Sequence, residues 1–463
     1  MENYDYFLGA MRFNVVMITI DVLLIIQFFV SWYISYKKTG WAIDVWNLTL
    51  LMTYFFPFLV LYPFASSIFN VISVGTHVKA IRGSINQAYF ISLVGYMSYF
   101  LGSRIFKLFK FKTPIYWGLI LPLKNTVGKA YQRVLLNKDI TKIIFLIYCA
   151  ALAMMLAAAY KAGSFNNPRA FFYKDDSIRA YYNLTVSLSG IVSGIIIARI
   201  FQFNLLSDKV YLGLFMFVNL FIGSRSFALS PLASMFTLAI FLVWKGRIKI
   251  KQMAIYGGVI LALVVVLSNF RAGSTPVKSH AKELKGGPLT EILYGNTFSD
   301  LRDFAWCLSA WNGDYYYGKT YLSAFMSFVP STLSPFRTEY GIGRITAKLG
   351  GFNPKEHPGL RPGMFGESYL NLGLFGVILV GILLGYGTRY MDYKSKIAAS
   401  SNNKLEFFVA GVGVMVINNL SITSGFFTVY TFAIIICLLY VVRLFFKSFK
   451  SIRINATTIK QGI

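Results

Sequence analysis

QMAIYGGVILALVVVLSNF at 252–270 is an apolar run long enough to cross a bilayer, and RAGSTPVKSHAKELKGG at 271–287 ends it abruptly. A bilayer core asks for about 20 mostly apolar residues in helical form. From Arg271 to Asn371 no clean spanning run follows. That stretch instead carries eleven Lys and Arg, a cluster of Trp and Tyr, and several carboxylates. Nearly everything on either side of it is apolar. The contrast sets the expected fold class: an all-α polytopic membrane protein with one large polar loop that contains short helices.

Composition agrees. The 463 residues are 56% hydrophobic, and the mean hydropathy is +0.58. A soluble domain stays near half apolar. Hydropathy places eleven spans, near 14–36, 47–74, 85–105, 142–161, 182–206, 208–223, 226–244, 252–270, 372–392, 406–422 and 425–446. The expected organisation is therefore a transmembrane bundle over 1–270, a large loop over 271–371, and further spans with a basic tail over 372–463. Pro57 and Pro63 are expected to kink the second span. The first apolar run lacks a small-residue cleavage pattern and reads as a retained anchor.

The formal charge is +27. In a soluble chain that excess would point to nucleic acid. Here the basic residues cluster directly after apolar runs, as in Lys107, Lys110 and Lys112, or Lys245, Arg247, Lys249 and Lys251. That is the positive-inside pattern, with attraction to anionic lipid, and no nucleic-acid partner is implied. It puts the N-terminus and the 271–371 loop outside and the C-terminus inside. The cysteines Cys149, Cys307 and Cys437 have no metal-ligand spacing and form no disulfide framework.

Within the loop, apolar positions at three-and-four spacing predict a helix over 289–310. TYLSAFMSFV at 320–329 is too short to span and is expected on the membrane interface. Outer-face arginines are the first chemical candidates. Arg225 lies in FIGSRSF, Arg271 directly follows a span, Arg302 is on the loop helix, and Arg361 precedes the next span. The guanidinium fork binds two phosphate oxygens at once; the alternative for each is headgroup anchoring. Asp300 and Asp303, three apart in FSDLRDF, flank Arg302 and read as helix-surface charge paired locally with it; Asp303 is also a candidate base. Glu367 in FGESYLNLG sits at the mouth of a span and suits a general base for a sugar hydroxyl, or a structural hydrogen bond. His357 is a further candidate base. Asp21 is an acid inside the first span and deserves a functional or a pairing explanation. Trp306, Trp311, Tyr315, Tyr316, Tyr317 and Tyr321, with Tyr369 beyond, form either a sugar-stacking surface or an interfacial aromatic belt.

Phosphate-binding Gly-Lys loops, dinucleotide fingerprints, Asp-x-Asp and paired-His zinc motifs are all missing from the sequence. The halves show no repeat of one another, which disfavours the commonest transporter plans. GSR at 223–225, NFRAG at 269–273, DLRDF at 300–304, GKTYLSAFMSFVPSTLSPFR at 318–337 and GESYLNLGLFG at 366–376 then give the chain a resemblance to the O-antigen polymerase (Wzy-type) family of repeat-unit polymerases. The resemblance covers mainly 215–390. It implies a glycosyltransferase-C-like architecture in the bacterial cytoplasmic membrane, acting on the extracytoplasmic face. It implies donor and acceptor linked to undecaprenyl diphosphate, no cofactor and no metal. As partners it implies membrane lipids, a flippase and a chain-length regulator. On it rest the expected roles: Glu367, Asp303 and His357 as catalytic residues; Arg225, Arg271, Arg302 and Arg361 on the diphosphate; Trp306, Trp311, Tyr316 and Tyr369 on sugar. An O-antigen ligase-like enzyme and a lipid-linked oligosaccharide flippase are the alternatives.

Overall fold

A computed structural model describes residues 15–60, 78–109, 137–165, 171–172, 176–220, parts of 231–258, 300–326, 329, 333–354 and 359–401. Within them the chain is mostly helical, with no strand. In chain order the helices are α1 (Val15–Thr39), α2 (Val45–Leu50), α3 (Val78–Phe109), α4 (Lys138–Lys161), α5 (Asp176–Phe203), α6 (Leu206–Leu220), α7 (Asp300–Ala310), α8 (Lys319–Phe325), α9 (Pro335–Tyr340), α10 (Ile342–Leu349) and α11 (Gly363–Ser400). Among the described residues three segments are long and apolar enough to cross a membrane: α1, Thr141–Lys161 and α11. The spans expected at 406–422 and 425–446, and most of that at 252–270, lie outside the described residues. The helix expected over 289–310 is described from Asp300 onward.

The chain divides into two compact units, Met1–Lys110 with Leu232–Phe426, and Phe111–Pro231 with Phe427–Ile463. The second holds α4, α5 and α6. Its buried arginine is neutralised within a hairpin, because Arg199 Nε pairs with Asp208 Oδ1 at 3.2 Å across the α5–α6 turn. Tyr148 donates to Asn219 Oδ1 at 2.6 Å and joins α4 to α6.

The first unit is built on α3 and α11. The two helices approach backbone to backbone through glycines on both sides. A Cβ on Gly102 would overlap the carbonyl of Ile382, one on Gly385 the carbonyl of Tyr99, and one on Gly381 would lie 2.6 Å from the carbonyl of Gly95. Small residues are what let membrane helices pack this closely, since lipid tails offer no hydrophobic drive between them. The outward sides of these helices carry exposed Phe375, Leu379 and Leu383, and α1 exposes Val22, Leu23, Ile26, Phe29 and Val30. An apolar face left open in this way suits lipid.

Asp21 in α1 is buried and accepts from the Tyr89 hydroxyl of α3 at 2.8 Å. Its proton-accepting oxygen is thus satisfied by a neighbouring helix. After α2 the chain continues as a π-helix over Leu51–Val60 that contains Pro57. Proline cannot donate the helical hydrogen bond, and the wider turn accommodates the loss; Pro63, the other expected kink position, lies outside the described residues. At the far end of α11, Asp392 Oδ2 binds Lys396 and Arg389, both at 3.1 Å. Lys396 also pairs with Asp44, which caps α2 by accepting from the Asn47 N–H at 2.7 Å. Two acids and two bases there neutralise one another.

The glycine seam makes a prediction. Gly385→Ala drives a methyl into a carbonyl and should lower the unfolding temperature in detergent, at a cost of about 1–3 kcal/mol for an overpacked contact. Gly213→Ala in α6, whose Cβ would meet nothing within 4 Å, should hold or raise it. Equal unfolding temperatures for the two variants would remove the seam from the account.

Candidate functional site

α11 is interrupted near its start. Leu372 (φ −134°, ψ 15°) and Gly373 (φ 60°, ψ −151°) leave the helical region. Gly373 takes a positive φ that costs any side chain dearly, and a Cβ there would press on the Tyr315 ring at 3.1–3.2 Å. The break leaves the carbonyls of Leu370 and Asn371 without their usual partners, as at any helix end. They are taken by the N–H groups of Tyr316 and Tyr317, at 3.0 and 2.9 Å. A short helix of α11, 363–371, is thereby sewn to the loop that follows α7.

Side chains reinforce the join. Asn371, fully buried, donates to Thr320 Oγ1 at 2.7 Å and to the Glu367 carbonyl at 2.9 Å, and accepts from the Gly318 N–H at 3.1 Å. The Thr320 hydroxyl donates in turn to Glu367 Oε1 at 3.1 Å. Tyr321 and Ser368 share a hydrogen bond of 3.1 Å. Burial and the nearby Glu367 carboxylate push the Tyr321 hydroxyl pKa up, so it serves as a neutral donor. Glu367 itself is 1% exposed. In this arrangement it organises α8 against α11 and does not face solvent.

The carboxylates of α7 divide their work. Asp303 is buried. It receives Nε and Nη2 of Arg302, each at 2.8 Å, on one oxygen and the Arg361 N–H at 3.1 Å on the other. It therefore ties the chain at 361 to the first turn of α7. Asp300 stands one turn earlier. It is exposed, yet protein crowds it closely enough that burial, with Asp303 adding to it, lifts its pKa from 3.8 to about 6 despite Arg361 and Arg302. Gly363 lies against it: a methyl placed on that glycine would stand 3.2 Å from the Asp300 Cβ. The Arg361 side chain is exposed beside it.

An aromatic surface adjoins. Trp311 meets Tyr315 and Tyr369 at ring distances of 5.2 and 5.6 Å, and Tyr315 meets Tyr317 at 6.3 Å. Phe304, one turn along α7 from Asp300, rests edge-on against Tyr369 at 6.1 Å. The Tyr369 hydroxyl reaches Tyr315 and Gln87. Tyr317 is 74% exposed and Trp311 is half-buried. Trp306 differs: it is in the core, against Phe352 at 5.4 Å. Tyr316 is half-buried. Arg225, Arg271 and His357 lie outside the described residues.

The structure thus gathers Asp303, Arg302, Arg361, Glu367, Trp311, Tyr316 and Tyr369 at one end of the α3–α11 pair. It adds Asp300 as the open carboxylate, and Thr320, Asn371 and Ser368 as the residues that hold Glu367 and α8. Their signal in the sequence was slight: TYLSAF and GESYLN set a few polar residues among apolar ones, with no motif spacing. Among the described residues no three His, Cys, Asp or Glu come together as metal ligands. No family model, curated protein or solved structure matches the chain.

Asn371→Ala removes three buried hydrogen bonds, each worth about 1 kcal/mol net. We expect a lower unfolding temperature and faster tryptic cleavage after Lys319, while Asn312→Ala on the exposed turn leaves both as in the wild type. Unchanged cleavage in Asn371→Ala would mean the loop is held by something else.

Proposed function

We propose that this protein is a multi-span membrane glycosyltransferase, of about eleven helices and glycosyltransferase-C-like, that polymerises oligosaccharide repeats carried on undecaprenyl diphosphate at the extracytoplasmic face of a bacterial cytoplasmic membrane. The observation that carries the reading is Asp300. An open carboxylate lifted to about 6, flanked by two guanidiniums and adjoining a surface of aromatic rings packed edge to face, matches what glycosyl transfer from a lipid diphosphate requires. The resemblance of the chain to O-antigen polymerases points the same way.

In the proposed reaction a sugar hydroxyl of the acceptor attacks the anomeric carbon of the donor. The new C–O bond forms as the bond to the diphosphate breaks. Asp300 takes the hydroxyl proton, which its raised pKa favours over an ordinary aspartate. The diphosphate leaves on undecaprenol, its growing charge met by the guanidinium clamp of Arg361. One such preorganised contact is worth roughly 3 kcal/mol, or about a hundredfold in rate. Arg302 acts through Asp303, which it neutralises. Trp311, Tyr315 and Tyr369 give sugar faces an apolar seat.

Purified protein in liposomes, given a lipid-linked repeat unit without nucleotide sugar or metal, should yield a ladder of lipid-linked multiples. Transfer of unaltered substrate across the bilayer would replace the reading with a flippase. Because Asp300 works ionised and its pKa lies above the usual 3.8 at about 6, kcat/KM should fall as pH drops through 6 and level off above 7. Asp300→Asn should lose about a hundredfold or more in rate and with it the acid limb, while unfolding at pH 8 at the wild-type temperature or higher. A full acid limb in that variant would pass the role to another group. Arg361→Ala should fold yet make no polymer; wild-type polymer from it would exclude the clamp.

A further inference from the structure

We propose that the outer face of α8, α9 and α10 docks on a bilayer surface rich in anionic headgroups, and that this docking holds α8 in place over Glu367. The inference is independent of the reaction proposed above. α8 has two unlike faces. Thr320 and Ser323 are buried, and both make hydrogen bonds inward, Thr320 to Glu367 and Ser323 to the Arg337 carbonyl at 3.3 Å. On the opposite side Leu322 and Phe325 are 51% and 54% exposed, and Leu333 just beyond is 74% exposed. Leu322 and Phe325 are three apart and share one face of the helix.

Charge selects the occupant. Between 319 and 349 the described residues carry Lys319, Arg337, Arg344 and Lys348 against the single acid Glu339. Lys319, Arg344 and Lys348 are exposed. Lys319 lies over the Tyr340 ring at 4.8 Å, and among the described residues it forms no ion pair with a carboxylate. Arg344 stands near enough to Arg337 to depress its pKa together with burial. Large apolar side chains interleaved with unneutralised cations are the pattern of a segment lying in the headgroup region, apolar face down. The same unit contains α1 and α11, whose exposed apolar faces already suit lipid, so the bilayer is continuous with this surface. A protein partner would need to supply acids to meet the three exposed cations, which Glu339 only partly offsets; anionic lipid supplies them by default.

The consequence is a link between lipid and site. Docking through Leu322 and Phe325 presses the reverse face of the same short helix, and so Thr320, onto the Glu367 carboxylate.

Nitroxide labels placed one at a time by Leu322→Cys, Phe325→Cys and Leu333→Cys test this in the full chain, with the native cysteines replaced by serine. The protein is reconstituted in vesicles of phosphatidylcholine with phosphatidylglycerol. Phe375→Cys on the lipid face of α11 and Asn312→Cys on the exposed turn serve as lipid and water references. At 322 and 325 oxygen should relax the label several-fold more than a water-soluble nickel chelate, as at 375. Nickel accessibility like that at 312 would overturn the proposal. Exclusion of both agents would also overturn it, showing that protein, such as a second copy of the chain, covers the face. Arg344→Glu combined with Lys348→Glu should move the 325 label towards the aqueous value; no movement would overturn the role of anionic headgroups.

Discussion

Everything in the larger unit depends on how closely α3 and α11 approach. In lipid the apolar effect does not drive helices together, so association rests on contact area and on shape. Gly95, Gly102, Gly381 and Gly385 remove side chains where the two backbones cross. The resulting fit leaves little room for tilt or slippage. It fixes the height of Phe365 against Gly95 and of Tyr96 against Phe365, whose rings meet at 4.9 Å. α7 then packs onto both helices, with Phe304 against Gly366. The orientation of Asp300 and Asp303 follows from a seam that begins far from them.

Above the seam the chain has to change from spanning helix to loop without stranding backbone groups. The break at Leu372–Gly373 opens two carbonyls, and the loop after α7 closes them again with Tyr316 and Tyr317. Asn371, Thr320 and Glu367 repeat the same connection through side chains. Backbone polar groups at membrane depth must be satisfied internally, and here their satisfaction is also what positions the aromatic surface. Tyr315 lies on Gly373, and Tyr369 stands within the same short helical piece.

Long-range features of this kind were only partly legible in the sequence. α1 and α4 were readable because twenty apolar residues in a row admit one physical explanation. The loop helix was readable from its spacing, and Pro57 announced an irregular second span, though not that the chain would widen into a π-helix. The sequence reading offered Asp303 as a base and passed over Asp300. Both lie in the first turn of α7, and which one is pinned depends on Arg361 returning from sixty residues away. Trp306 is indistinguishable by type from Trp311, yet one faces Phe352 in the core and the other faces outward, because they sit on different sides of the helix end. GILLG at 381–385 carries the glycine seam in plain view, but glycine is common in membrane helices, and only the partner backbone gives it meaning.

The two polar clusters of α11 relate the site to a bilayer. From Gly373 to Asp392 the helix rises roughly 28 Å at about 1.5 Å per residue, close to the hydrocarbon thickness of about 30 Å. Between them the sequence is LFGVILVGILLGYGTRYM. At one end Asp392, Arg389, Lys396 and Asp44 neutralise each other; at the other stand Glu367, Asn371, Thr320 and, on α7, Asp300. Neither cluster needs to enter lipid if α11 spans it. Asp300 and Arg361 then stand at the level of the headgroups. That placement is the one the proposed reaction needs, because its lipid-borne diphosphate would reach Arg361 by diffusion in two dimensions without being extracted from the bilayer.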